Sequence, residues 1–337
     1  MFDPWGVRLI ATYRNIVLIY NPTAGRIQRR GGRLLQRSIE ALRNAGHGVE
    51  AVPTTGPGTA GVLARRAIQT GADLIIVAGG DGTINEAMNG MVHSSVPLAV
   101  LPGGTANVLA MELGLGRQMD RVAGLISEGV PMRIAVGLLR ATHAEGSAAV
   151  LSPRHFLLMA GIGLDAHIVY NVNLGLKAKL GKFAYWVQGF GQVGRQLEEF
   201  DVRVADHRFR CSFALASRVR NYGGDLEIAR TTHLLDDKFE IVLFEGSAAY
   251  RYLKYFAGVL TGNLARLKGV SVFRTTGLEV AHPSDSRVYV QVDGEYAGRL
   301  PASVEIVPDA LTLLTPPGYI EKFQALTRGS TPASLAG

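Results

Sequence analysis

Cysteine is almost absent: Cys211 is the one thiol in 337 residues. An intrachain disulfide is therefore excluded, as is a cysteine-rich zinc site, and a reduced, cytoplasmic setting fits best. No stretch reaches the roughly 18–20 uninterrupted apolar residues that a membrane-spanning helix needs. Met1–Arg14 carries Asp3, Pro4, Arg8 and Arg14 and no long apolar run, which makes a poor signal peptide. Eight histidines are scattered without ligand spacing, and no internal repeat is visible. The phosphate-binding pattern G-x-x-x-x-G-K-[ST] is missing, because Gly181-Lys182 is followed by Phe183. Disorder is excluded as well: 47% of residues are apolar and 19% charged, enough for a large core.

What the chain has in excess is glycine, 41 residues where the usual share is about 7%. Such an excess serves turns and close backbone approaches. The net charge of +7 fits an anionic partner, a nucleotide or an acidic membrane surface. No nucleic-acid recognition motif accompanies it. Gly161-Ile162-Gly163-Leu164-Asp165-Ala166 matches G-x-G-x-x-A but lacks a βαβ frame, which argues against a dinucleotide site there.

The first 130 residues alternate between two hydrophobic periods. Ile16–Tyr20, Val49–Pro53, Leu74–Val77 and Leu98–Leu101 are short apolar runs that end in turn clusters, as buried parallel strands do. Between them Leu35, Ile39 and Leu42, then Leu63, Ala64, Ala67 and Ile68, recur at helical spacing, and a short helix is expected over about Ile84–Asn89. Strand and helix in alternation predict an open parallel sheet, whose ligands bind beyond the carboxyl ends of the strands. After about Arg133 short strands take over: His155–Ala160, Cys211–Ala216, Glu240–Phe244, Val288–Val292 and Ser303–Val307. They predict a mainly antiparallel β-sandwich, interrupted by helices at about Leu176–Leu197 and Ala248–Leu267. The expected division is an α/β domain over 1–133 and a β-sandwich domain over 134–317. A segment at about 318–326 is expected to pack back on the first domain, and 327–337 to be a frayed tail.

Three loops at the strand ends are built for phosphate. Asn21-Pro22-Thr23-Ala24-Gly25 follows the first strand and reads equally as an ordinary strand-to-helix turn. Gly79-Gly80-Asp81-Gly82-Thr83 follows the third and opens a helix; its glycines let backbone N–H groups approach a phosphate at a helix N-terminus. Asp81 there suits Mg²⁺ or its waters, or else an N-cap in a tight turn. Pro102-Gly103-Gly104-Thr105-Ala106-Asn107 repeats the design after the fourth strand. Far downstream, Val292-Asp293-Gly294-Glu295 could aim a carboxylate at a hydroxyl nucleophile, or form an Asp-Gly hairpin turn with a solvated acid. Lys177, Lys179 and Lys182 with Phe183, Tyr185 and Trp186 make a basic, aromatic stretch, either a membrane-surface contact or a partly buried helix with a solvated face.

These four motifs, in this order over about residues 14–318, resemble the diacylglycerol kinase catalytic family, which includes bacterial diacylglycerol and phosphatidylglycerol kinases, sphingosine kinases and ceramide kinases. The resemblance implies a two-domain lipid kinase. Its α/β domain, similar to those of NAD kinases and phosphofructokinases, would hold ATP with Mg²⁺. Its β-sandwich would receive the lipid, by default diacylglycerol. Asn21, Thr23, Thr54, Gly79, Gly80, Asp81, Gly82, Thr83, Ile84, Asn85, Gly104 and Thr105 fall on nucleotide-binding positions. Asp293 falls on the catalytic base, with Glu295 close by, and Asp81 on a magnesium position. A second, structural Mg²⁺ is implied at His233, Asp236 and Lys238, although Asp237 stands where the pattern often has glycine. The resemblance further implies peripheral membrane contact and is compatible with a homodimer. An NAD kinase would share the fold and the Gly-Gly-Asp-Gly turn, but the Pro-Gly-Gly-Thr-Ala-Asn loop and Asp293-Gly294-Glu295 lean against it. A non-catalytic nucleotide- or lipid-binding protein is the remaining alternative.

Overall fold

A computed structural model describes residues 11–30, 32–142, 152–163, 197–222, 226–248, 251–281 and 288–329. The basic, aromatic stretch at 177–186, all but the end of the helix expected at Leu176–Leu197, and residues 330–337 of the tail lie outside the described residues. Among the described residues, no helix is long and apolar enough to cross a membrane.

Four parallel strands stand side by side in the order β4-β3-β1-β2: β1 (Ile16–Tyr20), β2 (Val49–Pro53), β3 (Leu74–Gly79) and β4 (Leu98–Pro102). β1, β3 and β4 are apolar along nearly their whole length because helices cover both faces. On one face Val17, Ile19, Ile75, Val77, Leu98 and Val100 meet Ala60 and Ala64 of α3 (Thr59–Gln69), Ile84 and Met88 of α4 (Asp81–Asn89), and Leu109 of α5 (Val108–Glu112). On the other, Ile16, Leu18, Leu74, Ile76 and Leu101 meet Ile27 of α1 (Gly25–Arg29), Ile39 and Leu42 of α2 (Arg33–Asn44), and Val122 of α6 (Met119–Gly124). The strands end where expected or one to two residues later. Helix α4 begins three residues earlier than expected, so Asp81-Gly82-Thr83 form its first turn rather than a loop.

The antiparallel half begins with β5 (Val130–Thr142), β6 (Arg154–Phe156) and β7 (Met159–Gly163). It continues with β8 (Phe200–Val204), β9 (His207–Cys211) and β10 (Phe213–Ser217), a small pair β11 (Asn221–Tyr222) and β12 (Leu226–Glu227), and β13 (Phe239–Phe244). After helix α7 (Arg251–Thr261) come β14 (Val270–Thr275), β15 (Gly277–Ala281), β16 (Tyr289–Val292) and β17 (Glu295–Thr315), and then helix α8 (Pro317–Gly329). One layer runs β14-β13-β10-β7-β16; a second is formed by β9, β8, β15 and the long pair β17–β5. The strands alternate as period two requires. Ala214, Ala216, Ile241 and Leu243 face the interior between the layers with Phe156, Phe200 and Val202, whereas Phe213, Leu215, Val242 and Phe244 face outward under α7. Strand β17 joins the two halves, because its end pairs parallel to β4 at Leu313–Leu98 and makes one continuous 15-stranded sheet.

Two strands expected as single stretches are broken. His155–Ala160 is split at Leu157-Leu158, and Cys211–Ala216 at Ser212. Conversely, Ser303–Val307 proves to be the middle of a 21-residue strand that survives two register shifts against β5.

Candidate active site

Loops at the carboxyl ends of β1, β2, β3 and β4 converge on one cavity of about 480 Å³. Asn21 follows β1, and its side-chain oxygen accepts from the Thr23 backbone N–H (2.9 Å) and hydroxyl (2.8 Å), closing an Asx turn. Its amide donates to Thr83 Oγ1 at 3.3 Å and so ties the first loop to the start of α4. The second and third loops touch backbone to backbone: Gly103 N–H donates to Gly79 C=O at 3.0 Å, and a Cβ placed on Gly104 would lie 2.5 Å from the Gly80 Cα. Glycine is therefore required at 104. Asn107 closes the third loop. It adopts the left-handed conformation at φ 50°, which asparagine tolerates, while its amide oxygen accepts from Gly104 N–H (2.7 Å) and its amide nitrogen donates to Gly104 C=O (2.9 Å).

Asn21, Thr23, Thr54, Gly80, Gly82, Thr83, Gly104 and Thr105 all line this cavity, together with Glu86 and Glu295. Four other expected nucleotide positions do not. Gly79 is the last residue of β3, paired with Pro102. Ile84 is buried in the core below α4. Asn85 is buried and turned toward the antiparallel half, where it donates to Asp293 Oδ2 at 2.7 Å and to the His155 carbonyl at 3.2 Å.

Asp81 is the fourth. Its oxygens accept from the backbone N–H groups of Val108 (3.1 Å) and Leu109 (3.2 Å). The carboxylate thus caps α5 rather than its own helix, and these are donors a helix start otherwise leaves unpaired. Burial pushes its carboxyl above the usual carboxylate range, and the two N–H groups oppose that rise. For magnesium the cavity instead offers Glu86 and Glu295.

Asp293 and Gly294, both at positive φ (50° and 83°), form the two-residue turn between β16 and β17. That is the primed turn expected of Asp-Gly in a hairpin, yet the acid is not solvated. Its carboxylate accepts four hydrogen bonds, from Asn85 Nδ2 and from the consecutive backbone N–H groups of Leu157 (3.0 Å), Leu158 (2.9 Å) and Met159 (3.0 Å). This is what breaks His155–Ala160 into two strands: three N–H groups leave the ladder for one carboxylate. Burial pushes the Asp293 carboxyl above the usual range against these donors. A carboxylate has about four lone-pair sites, so this one is fully engaged, and it does not line the cavity. Glu295, two residues on, does. It is ion-paired to Arg154, whose Nη2 also lies 3.4 Å from Asn85 Oδ1.

Sequence reasoning missed Glu86, Thr55-Gly56-Pro57, Arg154 and the role of Asn107. Starting α4 at Asp81 would have revealed Glu86, because Gly82, Thr83 and Glu86 then share one helical face. Arg154 carries no local signal.

The residues expected around a structural Mg²⁺ do not fit a bound ion. Asp236 is ion-paired with Arg274. Fully buried Arg218, its guanidinium pulled down to about 10 by burial, donates through Nη2 to the carbonyls of Leu234 (2.7 Å) and Asp236 (3.1 Å). The His233 carbonyl accepts the Asp236 N–H at 3.1 Å, and Lys238 is exposed. The one carboxylate implied for that ion thus already has a guanidinium partner.

The chain was compared with known proteins. Residues 15–139 match the model of the diacylglycerol kinase catalytic domain, and residues 159–315 that of the YegS C-terminal NAD kinase beta sandwich-like domain. A diacylglycerol kinase of Staphylococcus carnosus (strain TM300) is 26% identical over 318 residues, covering 89% of this chain and 94% of the relative. One of Bacillus subtilis (strain 168) is 27% identical over 290 residues, covering 84% and 90%. A crystal structure of a diacylglycerol kinase from Bacillus anthracis str. Sterne shares the fold with a TM-score of 0.68 at 21% identity, over 91% of this chain and 98% of that one. A further crystal structure from the same organism reaches 0.75, over 92% and 97%. With both halves matched in order, the chain belongs to the diacylglycerol kinase catalytic-domain family of lipid kinases.

Proposed function

We propose that this protein transfers the γ-phosphoryl group of Mg²⁺·ATP to the free hydroxyl of diacylglycerol, giving phosphatidic acid, at a membrane surface on the cytoplasmic side. The observation that carries this reading is the cavity in which the loops after four parallel strands and the first turn of α4 meet one acid from the antiparallel half, Glu295. Backbone N–H groups at Gly80 and Gly82 and the N-terminus of α4 suit the phosphates, and Gly104 lets the third loop approach them closely. The hydroxyls of Thr54, Thr83 and Thr105 add neutral donors. Phosphoryl transfer asks little covalent chemistry of the protein; positioning and charge stabilisation do most of the work.

The resemblance puts the base on Asp293, and the geometry favours dividing the work between the two acids. Glu295 faces the cavity and takes the proton of the attacking hydroxyl. Arg154 holds it in place, leaving one side of the carboxylate for the hydroxyl. Asp293 fixes the hairpin that carries Glu295 to α4 through Asn85, and so sets the distance between acceptor and donor. Glu86 and Glu295 would hold the Mg²⁺ that enters with ATP, and the ion would offset the charge on the transferring group.

The test is incubation of the purified protein with Mg²⁺ and γ-labelled ATP against micellar diacylglycerol, monoacylglycerol, ceramide, sphingosine and phosphatidylglycerol, with NAD included. The expected result is label in phosphatidic acid. Label in NAD alone overturns the lipid acceptor. Label nowhere, despite measured ATP binding, overturns catalysis in favour of a non-catalytic binder.

A further inference from the structure

A second cavity, of about 600 Å³, shares no lining residue with the first. Its walls come from the C-terminal end of α5, from β14, from α8 and from residues 220–236. Four cations face it, Arg220, Arg230, Arg274 and Lys322, against two acids, Glu112 and Asp236.

The acids are already engaged. Glu112 accepts the Tyr319 hydroxyl at 2.8 Å and the Arg220 backbone N–H at 3.3 Å, and Asp236 is paired with Arg274. Arg230 is engaged too, donating to Glu227 and to the Gly262 carbonyl. The Arg220 guanidinium is different: its Nε lies 3.9 Å from Glu112 Oε1, beyond hydrogen-bond reach. Lys322 stands exposed at the rim. Below them the Thr232 hydroxyl, in a residue only 1% exposed, and His233 Nδ1 are buried without a partner among the described residues, and Asp236 Oδ2 is buried with no hydrogen bond beyond its ion pair with Arg274. Buried polar groups are nearly always hydrogen-bonded, so the first two, beside two under-used cations, point to a ligand.

We propose that this cavity binds a phosphate-type dianion, with Arg220 and Lys322 supplying the charge and Thr232 Oγ1 and His233 Nδ1 bonding its oxygens. Arginine's planar fork grips two phosphate oxygens at once, and lysine adds a point charge. The charges come from two sides, Arg220 from residues 220–236 and Lys322 from α8. The volume exceeds that of one phosphate and leaves room for an ester substituent, so the source is either free phosphate or a phosphomonoester headgroup.

Calorimetric titration of the full chain tests this, with a non-hydrolysable ATP analogue held at saturation to block the glycine loops. Inorganic phosphate and a short-chain, water-soluble phosphatidic acid are titrated separately. The expected result is saturable binding that falls about tenfold or more in Arg220→Gln and in Lys322→Gln, the loss of one charge-assisted contact. Thr232→Val should weaken it by a smaller factor, and affinity for the analogue should not change. Tighter binding of the lipid than of phosphate assigns the site to a headgroup; equal binding assigns it to the free ion. Lys322 is exposed on α8, so its variant folds even if that of Arg220 does not. No binding beyond the glycine loops, or binding unchanged in both charge variants, overturns the proposal. Because the variants are read against phosphate and not against turnover, that result stands apart from any failure of the kinase reading.

Discussion

Two acidic turns meet beside one cavity, one at the start of α4 and one between β16 and β17, and they use their carboxylates in different ways. In the α4 turn Asp81 caps α5 with two backbone bonds. The hairpin turn carries two acids and divides them. Asp293 accepts four bonds and holds the halves together, while Glu295 is left at the cavity with one arginine partner. A carboxylate in a glycine-rich turn is thus not by itself a catalytic group. What separates the two uses is how many N–H donors the backbone directs at it.

The largest effect that sharpens this comparison is on rate. Glu295→Gln keeps the shape and the hydrogen-bonding group but cannot take a proton. Turnover should fall by about 10²–10⁴, the usual worth of a general base, with the melting temperature and ATP affinity held. Next comes stability at the other acid. Asp293→Ala strands four donors, each unsatisfied buried group costing about 1–3 kcal/mol; partial solvation lowers the sum, and a loss of about 3 kcal/mol or more should appear in denaturant unfolding. Full stability in that variant would break the comparison.

Asp81→Ala removes a helix cap and should cost about 1–2 kcal/mol, with weaker ATP binding following from movement of the Gly104–Asn107 loop. A variant that keeps its stability but loses magnesium-dependent nucleotide affinity would return Asp81 to the metal. The smallest effect lies away from both turns, at His47, buried with Nδ1 accepting from Tyr13 N–H (3.0 Å) and Nε2 bonded to Ser127 (2.8 Å). Burial holds its pKa below the ordinary 6.5. The unfolded chain therefore binds this proton first, and the stability is present above pH 6.5 and lost as pH falls below it. Melting temperature should decline on acidification below pH 6.5, less steeply in His47→Gln.

Much of the parallel half was legible because β1, β3 and β4 are covered on both faces. Ile16–Tyr20 and Val49–Pro53 are bounded by turn residues that end them where the structure does. The first turn of α4 was not, since Gly80-Asp81-Gly82 has poor helix propensity and the packing of Ile84 and Met88 overrides it. Strand β17 was hidden by Gly298, Pro301, Pro308 and Asp309, each a turn signal, and is held instead by its long pairing with β5. The motif residues of the site could be read as short polar groups among glycines. Their directions could not, because Asp81 is aimed by Val108 and Leu109, and Asp293 by a segment some 135 residues away in sequence. Non-local donors decide which acid faces the cavity, and no local pattern records them.

The most direct test of the division between the two acids is to measure kcat and melting temperature together for Glu295→Gln and Asp293→Asn, with labelled ATP and micellar diacylglycerol, well below either melting point. The account predicts that Glu295→Gln melts like the parent and barely turns over. Asp293→Asn should melt earlier and keep measurable turnover. A stable, inactive Asp293→Asn beside an active Glu295→Gln would contradict it and put the base on Asp293.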